Sequence, residues 1–385
     1  GGHCVARYEG RVVFVRHALP GEKVVAEVTE DAGGSFCRAD AVEIRTPAPG
    51  RVSPSCELAE LSRGRDRCGG CDWQHASEET QLELKAAVVT EQLERLAGIH
   101  YPVSVQALSR GPLRWRTRVR LAVDDDGRPG FRPHRSHRVI PVQDCPITVP
   151  GALEHVTSKK WAPGTELAIT SDSEETVHVN QTYPKRRGQR VQGPGVAQER
   201  AAGRQWRVAA DGFWQVHPEA ATVLAETVRK AVQLEAGAVA WDLYGGVGLF
   251  AAVLAEQVGS SGSIVLVESS KDAVRDAKRN LAKLPQVRCV HGRVEKVIAS
   301  DESLGRPDVV VLDPPRKGAG RTVVDGVAGR QPGRVVYVAC DPAALARDIG
   351  LFRQHGYEVD TIEGFDTFPM THHVECVAVL VRASE

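Results

Sequence analysis

The chain of 385 residues lacks a charge imbalance, because 49 lysines and arginines offset 49 aspartates and glutamates. No overall field therefore marks an anionic partner, although a local basic surface can still contact phosphate. The chain also lacks an apolar run of the roughly 20 residues that a membrane span needs. Its opening, Gly1-Gly2-His3-Cys4, lacks the basic start and apolar stretch of a signal peptide. We expect a cytoplasmic protein with no membrane partner, and no pattern indicates an obligate protein partner.

Disulfides are a further feature that we do not expect. Nine cysteines in a chain of this length are too sparse for a small disulfide scaffold, and reduced thiols bind metal or do chemistry. Cys56, Cys68 and Cys71 lie close together in the sequence, and Cys145 is a fourth candidate. Four thiolates suit either an iron–sulfur cluster or a structural zinc ion.

The first 45 or so residues alternate apolar and polar side chains in short runs separated by turn signals. These runs predict the strands of a small antiparallel β-barrel, and prolines from Pro47 to Pro54 mark a linker. We expect a barrel at residues 1–48, a central β-rich domain with the cysteine cluster at 49–208, and a catalytic domain at 209–385. Apolar side chains near helical spacing predict a helical segment at about 76–97, which is placed to pack on the catalytic domain.

A basic stretch at 185–190 reads Lys185-Arg186-Arg187-Gly188-Gln189-Arg190. It lies among short predicted strands that glycine, proline and aspartate interrupt. A solvated loop is its ordinary interpretation, and a loop that contacts phosphate is the alternative.

After Ala209 the pattern changes to alternating strands and helices, which predicts a doubly wound, mostly parallel sheet. One strand leads into Gly245-Gly246-Val247-Gly248 and then into a helix, and such a loop cradles a nucleotide-type cofactor. Glu268 ends the next strand, where a carboxylate can accept hydrogen bonds from ribose. The loop also fits a dinucleotide fingerprint, so a nicotinamide or flavin enzyme is a competing interpretation.

Cys340 follows an apolar strand, and Asp313 follows another. Ligand-handling groups collect beyond the carboxyl ends of strands in such a sheet, so the thiol can attack a ligand there. A small buried core residue is the commoner fate of a lone cysteine. Asp313-Pro314-Pro315 is followed by Arg316 rather than by an aromatic ring, which argues against methylation of an amino group.

The chemistry that joins these residues is methylation of a uracil C5 atom by S-adenosylmethionine (SAM). A thiolate that adds to C6 makes C5 nucleophilic, and a base must then remove the C5 proton. Cys340 is the candidate thiol, Glu375 is the candidate base, and Asp313 is placed to orient the base or the cofactor. We expect the final strand to run antiparallel, which brings Glu375 toward Cys340. For His372 and His373 we expect hydrogen bonds that shape the site rather than metal binding.

Together these residues resemble the RNA uracil-C5 methyltransferase family, whose members modify 23S ribosomal RNA or tRNA. The resemblance covers nearly the whole chain, including Phe213-Trp214-Gln215-Val216-His217 and the glycine loop. It implies a Rossmann-like SAM methyltransferase domain and an N-terminal TRAM domain, an OB-like barrel that binds RNA. It also implies a SAM site, a nucleophile with its proton acceptor, and a [4Fe–4S] cluster. The residues implied for the SAM site are Gln215, Tyr244, Gly246, Glu268 and Asp313, those for catalysis are Cys340 and Glu375, and those for the cluster are Cys56, Cys68, Cys71 and Cys145.

Three positions depart from the family pattern. Leu249 stands where asparagine is common, so that polar cofactor contact is expected to be absent or replaced by backbone. Asp341 follows the nucleophile where asparagine is common, and we expect its carboxylate to raise the pKa of the Cys340 thiol. Gly245 replaces a common cysteine, which we expect to be tolerated. The gap between Cys56 and Cys68 is longer than usual, which makes Cys56 the least regular cluster ligand.

The sequence therefore predicts an enzyme that makes 5-methyluridine, with 23S ribosomal RNA as the expected substrate and tRNA as the alternative. The uridine must leave its stack to reach Cys340. Phe213, Trp214 and Phe365 are candidates to stack on it, although we expect core packing for each. A non-catalytic RNA-binding factor and an NAD(P)-linked oxidoreductase are the remaining alternatives.

Overall fold

The structure is a computed structural model that describes residues 2–184 and 188–383. Lys185, Arg186 and Arg187 lie outside the described residues, so both interpretations of the basic stretch stay predictions. All nine cysteines have free thiols. Within the two described ranges, no helix has the length and apolar character that a membrane crossing requires.

The N-terminal strands form a four-stranded sheet in the order β1-β2-β4-β3. β2 and β4 are parallel, whereas the other two pairs are antiparallel. The expectation of a purely antiparallel arrangement is therefore wrong at one pair, because the β3–β4 hairpin returns β4 to the side of β2. The strands are β1 His3–Tyr8, β2 Arg11–Arg16, β3 Lys23–Glu30 and β4 Phe36–Thr46.

The central region contains a six-stranded sheet in the order β11-β10-β9-β6-β7-β8 and a separate hairpin of β12 and β13. The cysteine-bearing segment precedes this sheet and contains short 3-10 turns at Glu57–Ala59 and Leu61–Asp66. The elements are β6 Arg118–Val123, β7 Pro129–Phe131, β8 Ile140–Pro141, α2 Glu154–Thr157, β9 Glu166–Ser171, β10 Val177–Thr182, β11 Gln189–Gln192, β12 Val196–Ala201 and β13 Arg204–Ala209.

The C-terminal sheet has eight strands in the order β16-β15-β14-β17-β18-β20-β19-β5. Helices cover both faces, which is why strands such as β17 are apolar at every position and buried throughout. The strands are β5 Val105–Ala107, β14 Val239–Leu243, β15 Ser263–Glu268, β16 Val287–His291, β17 Val309–Leu312, β18 Arg334–Ala339, β19 Tyr357–Asp366 and β20 Glu375–Arg382. The helices are α1 Glu78–Gln92, α3 Ala220–Val232, α4 Leu249–Val258, α5 Lys271–Asn280, α6 Val294–Ser300, α7 Arg321–Gly329 and α8 Pro342–Gln354. The predicted doubly wound, mostly parallel sheet is confirmed.

Helix α1 and strand β5 precede the central sheet in the chain but pack on the C-terminal sheet. Ser77 caps α1, since its side chain accepts a hydrogen bond from Thr80 N. Val89 of α1 is fully buried in the same core as Ile349 and Phe352 of α8. β5 pairs in parallel with β19 and forms one edge of the sheet. The central sheets, β6 to β13, therefore lie in the chain between two pieces of one structural unit.

Candidate active site

A cavity of about 1100 Å³ opens at the edge of the C-terminal sheet where β14, β15, β17 and β18 end. This catalytic cavity is where a doubly wound sheet places its ligands. The predicted site residues come from six separate segments of the chain, and the fold brings all seven to its wall. They are Gln215, Tyr244, Gly246, Glu268, Asp313, Cys340 and Glu375.

The glycine loop after β14 provides a backbone surface for a ligand. Gly246 and Gly248 have φ values of +52° and +99°, and Tyr244 adopts φ +64°, a left-handed conformation that is uncommon for a residue with a side chain. Asp242 fixes the loop to α4, since its Oδ2 accepts a hydrogen bond from Ala251 N at 2.8 Å. Gly245 has no space for a side chain, because a Cβ there would lie 2.6 Å from Leu266 Cγ.

Two polar side chains on this cavity remain able to bind a ligand. Glu268 Oε2 accepts a hydrogen bond from Gly246 N at 3.2 Å and Oε1 accepts one from Ser270 N at 2.6 Å, and a carboxylate has lone pairs for further donors. Gln215 is only 8% exposed, yet its amide makes no side-chain hydrogen bond within residues 2–184 and 188–383. An amide that lines the cavity without a protein partner fits a site that a polar ligand completes.

Cys340 and Glu375 meet because β18 and β20 are antiparallel, as expected. Ala339 pairs with Cys376 in the ladder, and one further step of the same register places Cys340 opposite Glu375. Side chains of directly opposed residues lie on the same face of a sheet. Cys340 is half-buried, whereas Glu375 is only 3% exposed.

The surroundings of Cys340 oppose its ionisation. Burial, together with the charges of Glu375 and Asp313, raises the pKa of this thiol to about 12, and Arg316 acts in the opposite direction. Burial raises the pKa of Asp313 to about 7, helped by Glu268. Burial also raises the pKa of Glu375 well above its usual range, with a contribution from Asp313. Three acids that share one cavity therefore all favour their protonated forms.

Asp341 does not have the role that the sequence suggested. Its Oδ1 accepts a hydrogen bond from Ala344 N at 2.8 Å, so it is the N-cap of α8. The carboxylates that raise the pKa of Cys340 are instead Glu375 and Asp313. The prediction for Asp341 is wrong because the capping geometry directs its carboxylate to the helix start.

The loop between β19 and β20 forms the wall next to the thiol. His373 Nε2 lies 2.9 Å from Arg316 Nη2 and accepts its hydrogen bond. His372 Nδ1 lies 2.6 Å from Asp72 Oδ2, which ties the loop to the cysteine segment. Both histidines shape the site through hydrogen bonds, as expected. Arg316 was not predicted to be a site residue; its place directly after Asp313-Pro314-Pro315 was the available signal.

Below this loop, Lys85 of α1 makes a buried ion pair with Asp366 at the end of β19. The Nζ–Oδ1 distance is 2.5 Å and both side chains are at most 3% exposed. Lys85 Nζ also donates to Phe368 O at 3.1 Å. Because Phe368 and His373 line the catalytic cavity, the pair anchors the start of the wall that leads to Glu375.

The three aromatic side chains that were candidates to stack on the uridine differ in their exposure. Trp214 and Phe365 are buried at 7% and 3% exposure, as core packing predicts. Phe213 is 74% exposed and lines the catalytic cavity. The prediction of core packing is therefore wrong for Phe213, which is the one candidate of the three that presents its ring to a ligand.

The four predicted cluster cysteines line a second cavity of about 600 Å³, the cysteine cavity. Charge on one thiol affects the others: Cys145 and Cys68 both contribute to raising the pKa of Cys71, although burial contributes most. Within the described ranges, no group of three or more His, Cys, Asp or Glu side chains is arranged to hold a single metal ion. The cysteine cavity shares Arg316, Phe368 and His373 with the catalytic cavity.

Comparison with known proteins agrees with this architecture. Residues 197–383 match the tRNA (uracil-5-)-methyltransferase family, and residues 1–42 match the TRAM domain. Uncharacterized RNA methyltransferases of Streptomyces avermitilis and Streptomyces coelicolor are 44% and 45% identical, over the whole of this chain and 96% and 91% of theirs. The crystal structure of Pyrococcus abyssi tRNA (uracil-54, C5)-methyltransferase in complex with S-adenosyl-L-homocysteine superposes with a TM-score of 0.72 at 24% identity, covering 96% of this chain and 95% of that one.

A Rossmann-like sheet behind a TRAM domain, with a cofactor cavity at the strand ends, defines a SAM-dependent RNA methyltransferase. The chain belongs to the RNA uracil-5 methyltransferase family. The predicted fold class, enzyme class and family resemblance are thereby confirmed.

Proposed function

We propose that this protein makes 5-methyluridine in RNA, with Cys340 as the nucleophile and Glu375 as the base. The observation that carries the proposal is the β18–β20 register, which sets the thiol opposite the carboxylate at the wall of the cavity. An oxidoreductase or a pure RNA-binding factor has no use for that pair.

The reaction divides into an addition and an elimination. Cys340 releases its proton to solvent and its sulfur forms a bond to C6, which moves the ring electrons toward C5 and O4. SAM, when bound, supplies an electrophilic methyl group to C5. Glu375 then takes the C5 proton, the C5–C6 double bond re-forms, and the sulfur of Cys340 leaves with its electron pair.

The cofactor half of the cavity is built from Gln215, Tyr244, Gly246, Glu268 and Asp313. The unpartnered amide of Gln215, the strained turn at Tyr244 and the open backbone at Gly246 fit a nucleoside ligand. Glu268 is placed to accept hydrogen bonds from ribose hydroxyls. Asp313 lies between this half and the Cys340–Glu375 pair, since its charge raises the pKa of both Cys340 and Glu375.

For the substrate we propose 23S ribosomal RNA, on the analogy that TRAM-bearing members modify it. tRNA is the second candidate, favoured by the description of the matched family and by the P. abyssi enzyme. We also propose the division into residues 1–48, 49–208 and 209–385, with α1 and β5 packed on the last of these.

The test supplies methyl-labelled SAM to the protein with unmodified 23S ribosomal RNA or tRNA and separates the nucleosides after digestion. Label in 5-methyluridine from 23S ribosomal RNA is expected, and label from tRNA alone would transfer the assignment to the second candidate. Calorimetry with SAM and NAD accompanies the assay. Binding of NAD without SAM would rule the proposal out.

We further propose that Cys56, Cys68, Cys71 and Cys145 hold a [4Fe–4S] cluster. A zinc ion needs its four ligands around one point, and the described side chains offer no such group. Four thiols around one larger cavity instead suit a cluster, whose irons each take one cysteine.

Replacing Cys71 tests the cluster. Protein purified without oxygen is expected to be brown, and Cys71→Ser is expected to lose the visible absorbance and the bound iron, because one of four thiolates is missing. Cys4→Ser, outside the cysteine cavity, is the control. Iron content unchanged in Cys71→Ser would exclude this thiolate as a required ligand.

A further inference from the structure

The loop between β17 and α7, residues 313–320, forms a wall of the catalytic cavity, and we call it the β17–α7 loop. Seven of its eight residues line that cavity, Arg316 among them. One internal turn spans half of the loop, since Gly318 N donates to Pro315 O at 2.8 Å, and the two prolines of the loop have no N–H to donate. The position of the loop therefore depends on contacts with other elements.

A buried carboxylate of α8, that of Asp348, holds the far end of this loop. Asp348 is only 3% exposed. Its Oδ2 accepts a hydrogen bond from Ala319 N at 2.7 Å, and its Oδ1 accepts one from Gly320 N at 3.2 Å. Hydrogen bonds to a charged acceptor are about twice as strong as those between neutral groups. The carboxylate and the two backbone donors therefore fix the loop to α8.

Tyr337 of β18 completes this arrangement, and we call Asp348 and Tyr337 the loop clamp. Tyr337 is fully buried. Its hydroxyl donates to Asp348 Oδ2 at 2.5 Å and accepts a hydrogen bond from Ala319 N at 3.1 Å. Burial raises the pKa of this phenol well above its usual range, and the charge of Asp348 acts in the same direction, so the hydroxyl keeps the proton that it donates. The buried carboxylate thus receives the donors that its removal from water requires.

The loop approaches the clamp too closely for a side chain at position 318. Gly318 has φ +84°, and a Cβ on it would lie 2.6 Å from Asp348 Oδ2. The loop backbone therefore packs directly against the carboxylate. Neither Asp348 nor Tyr337 is among the described residues that line the catalytic cavity. The clamp contacts the loop from behind and leaves the cavity free for ligands.

The clamp joins the loop to the two elements that hold the nucleophile. Tyr337 lies in the strand that leads to Cys340, and Asp348 lies in the helix that follows it. On the loop, Arg316 Nη2 donates to His373 Nε2 at 2.9 Å, and the charge of Arg316 opposes the groups that raise the pKa of the Cys340 thiol. The position of this cation relative to the thiol is therefore set by the elements that position the thiol itself.

We propose that Asp348, supported by Tyr337, is a positioning residue that holds Arg316 beside the Cys340 thiol for methyl transfer. The carboxylate acts through the loop backbone and contacts neither the RNA nor SAM. A guanidinium in this position stabilises the thiolate when Cys340 gives up its proton. This inference rests on the proposed function, because it takes Cys340 as the nucleophile.

Asp348→Asn keeps the size of the side chain and replaces one acceptor oxygen by an amino group that faces hydrogen-bond donors. We expect kcat, measured at saturating RNA and SAM, to fall by about 10-fold or more, which corresponds to one lost hydrogen bond to a charged group. Unchanged kcat in folded Asp348→Asn would overturn the proposal.

Asp172→Asn is the matched control. Asp172 is 7% exposed and accepts hydrogen bonds from Thr176 N and Gln198 N at 2.9 Å each, but it lies in the central region, outside the catalytic cavity. We expect this variant to lower the free energy of unfolding in urea, as Asp348→Asn does, and to keep the kcat of the wild type. Equal losses of kcat in the two variants would overturn the proposal.

Combining Asp348→Asn with Arg316→Gln tests whether Asp348 acts through Arg316. The effects of independent residues on kcat multiply, whereas those of coupled residues do not. We expect the double variant to have the kcat of Arg316→Gln within about twofold, and multiplied losses would overturn the proposal. Tyr337→Phe, which removes one hydroxyl and no charge, serves if Asp348→Asn does not fold. It is expected to show a smaller loss with the same coupling to Arg316→Gln, and multiplied losses there would overturn the proposal equally.

Alkylation of Cys340 by iodoacetamide gives a readout that needs neither RNA nor turnover. Its rate depends on the thiolate fraction and is followed by mass spectrometry of the peptide that contains Cys340. Asp348→Asn and Arg316→Gln are both expected to react more slowly than the wild type and Asp172→Asn at the same pH, because the thiolate loses its neighbouring cation. Alkylation of Asp348→Asn at the wild-type rate or faster would overturn the proposal. Slower alkylation of that variant, together with no methyl transfer by the wild type, would contradict the proposed function and leave the positioning of Arg316 standing.

Discussion

Cys340 is held in surroundings that disfavour the thiolate that the proposed mechanism requires. Burial and two neighbouring carboxylates raise the pKa of the thiol to about 12, far above that of an ordinary cysteine at about 8.5. The same cavity raises the pKa of Glu375 and brings that of Asp313 to about 7. We infer that the number of protons shared by Cys340, Asp313 and Glu375, rather than the protonation of any one of them, controls when catalysis begins.

The pH dependence of turnover follows from these shifts. The thiol must be deprotonated to attack and Glu375 must be ionised to accept a proton. Because the pKa values of both groups are raised, activity is lost as the pH falls through a range that lies above about 4, the usual pKa of a carboxylic acid. We expect kcat, measured at saturating RNA and SAM, to rise from about pH 6 through about pH 8, because the pKa of Asp313 is about 7, and to go on rising above pH 8, because the pKa of the thiol is about 12. A flat or falling profile over this interval would contradict the account.

Glu375→Gln separates the two halves of the reaction. The amide cannot take the C5 proton, whereas Cys340 can still add to C6. We therefore expect a methylated covalent protein–RNA adduct to accumulate, detected on denaturing gels with labelled SAM, while multiple turnover falls by about 100-fold or more. Normal turnover without any adduct would move the base to another residue.

Residue types and spacing indicated Cys340, Glu375, Asp313, Glu268 and the glycine loop, because the chemistry of C5 methylation requires a thiol and a base at strand ends. Gln215 and Tyr244 were expected only from the family resemblance, and they line the same cavity. Residue types and spacing did not identify the role of Asp341, which depends on cap geometry, or the exposure of Phe213, which depends on how the loop after β13 leaves the sheet. Gly245 shows the same limit: the absence of a side chain is explained by Leu266, which is distant in sequence.

At the scale of elements, the site depends on the antiparallel insertion of β20 between β18 and β19. This strand brings Glu375 to the edge where the parallel strands end. Its direction was expected from the usual topology of SAM methyltransferase sheets, not from the pattern of the sequence. A helical segment at about 76–97 was expected to pack on the catalytic domain, but the edge strand β5 is not visible in local pattern. Neither are the long-range contacts that hold α1 in place, such as the Lys85–Asp366 pair, which joins residues 281 positions apart.

Breaking that pair is expected to destabilise the protein strongly. Burial lowers the pKa of Lys85 and raises that of Asp366, so burial disfavours the charged form of each side chain. The opposite charge of the partner offsets this effect. Lys85→Met leaves a buried carboxylate without its partner, and we expect the free energy of unfolding to fall by about 3–5 kcal/mol. Urea denaturation measures the change.

The double variant Lys85→Met/Asp366→Leu is the control for that experiment. It removes both charges, so part of the loss should be recovered, with the remainder due to the hydrogen bonds to Phe368. A single variant as stable as the wild type would show that the pair does not anchor the loop.

At the scale of the whole molecule, the cysteine cavity adjoins the catalytic cavity, since Arg316, Phe368 and His373 line both. The sequence predicted the domains that contribute these cavities but not their adjacency, since cavities form where separate segments meet. The two cavities share the His373–Arg316 contact. A cluster in that position would hold the wall of the active site in place without taking part in methyl transfer.

The central claim is tested most directly by a covalent trap with RNA that carries 5-fluorouridine. Fluorine at C5 cannot leave as a proton, so the Cys340–C6 bond formed during methylation cannot be released. With SAM present, the account predicts a protein–RNA complex that survives a denaturing gel with the wild-type protein. The same complex should be absent from Cys340→Ala, which should still bind SAM by calorimetry. A stable complex with Cys340→Ala, or none with the wild type on either 23S ribosomal RNA or tRNA despite measured SAM binding, would contradict the assignment of the nucleophile.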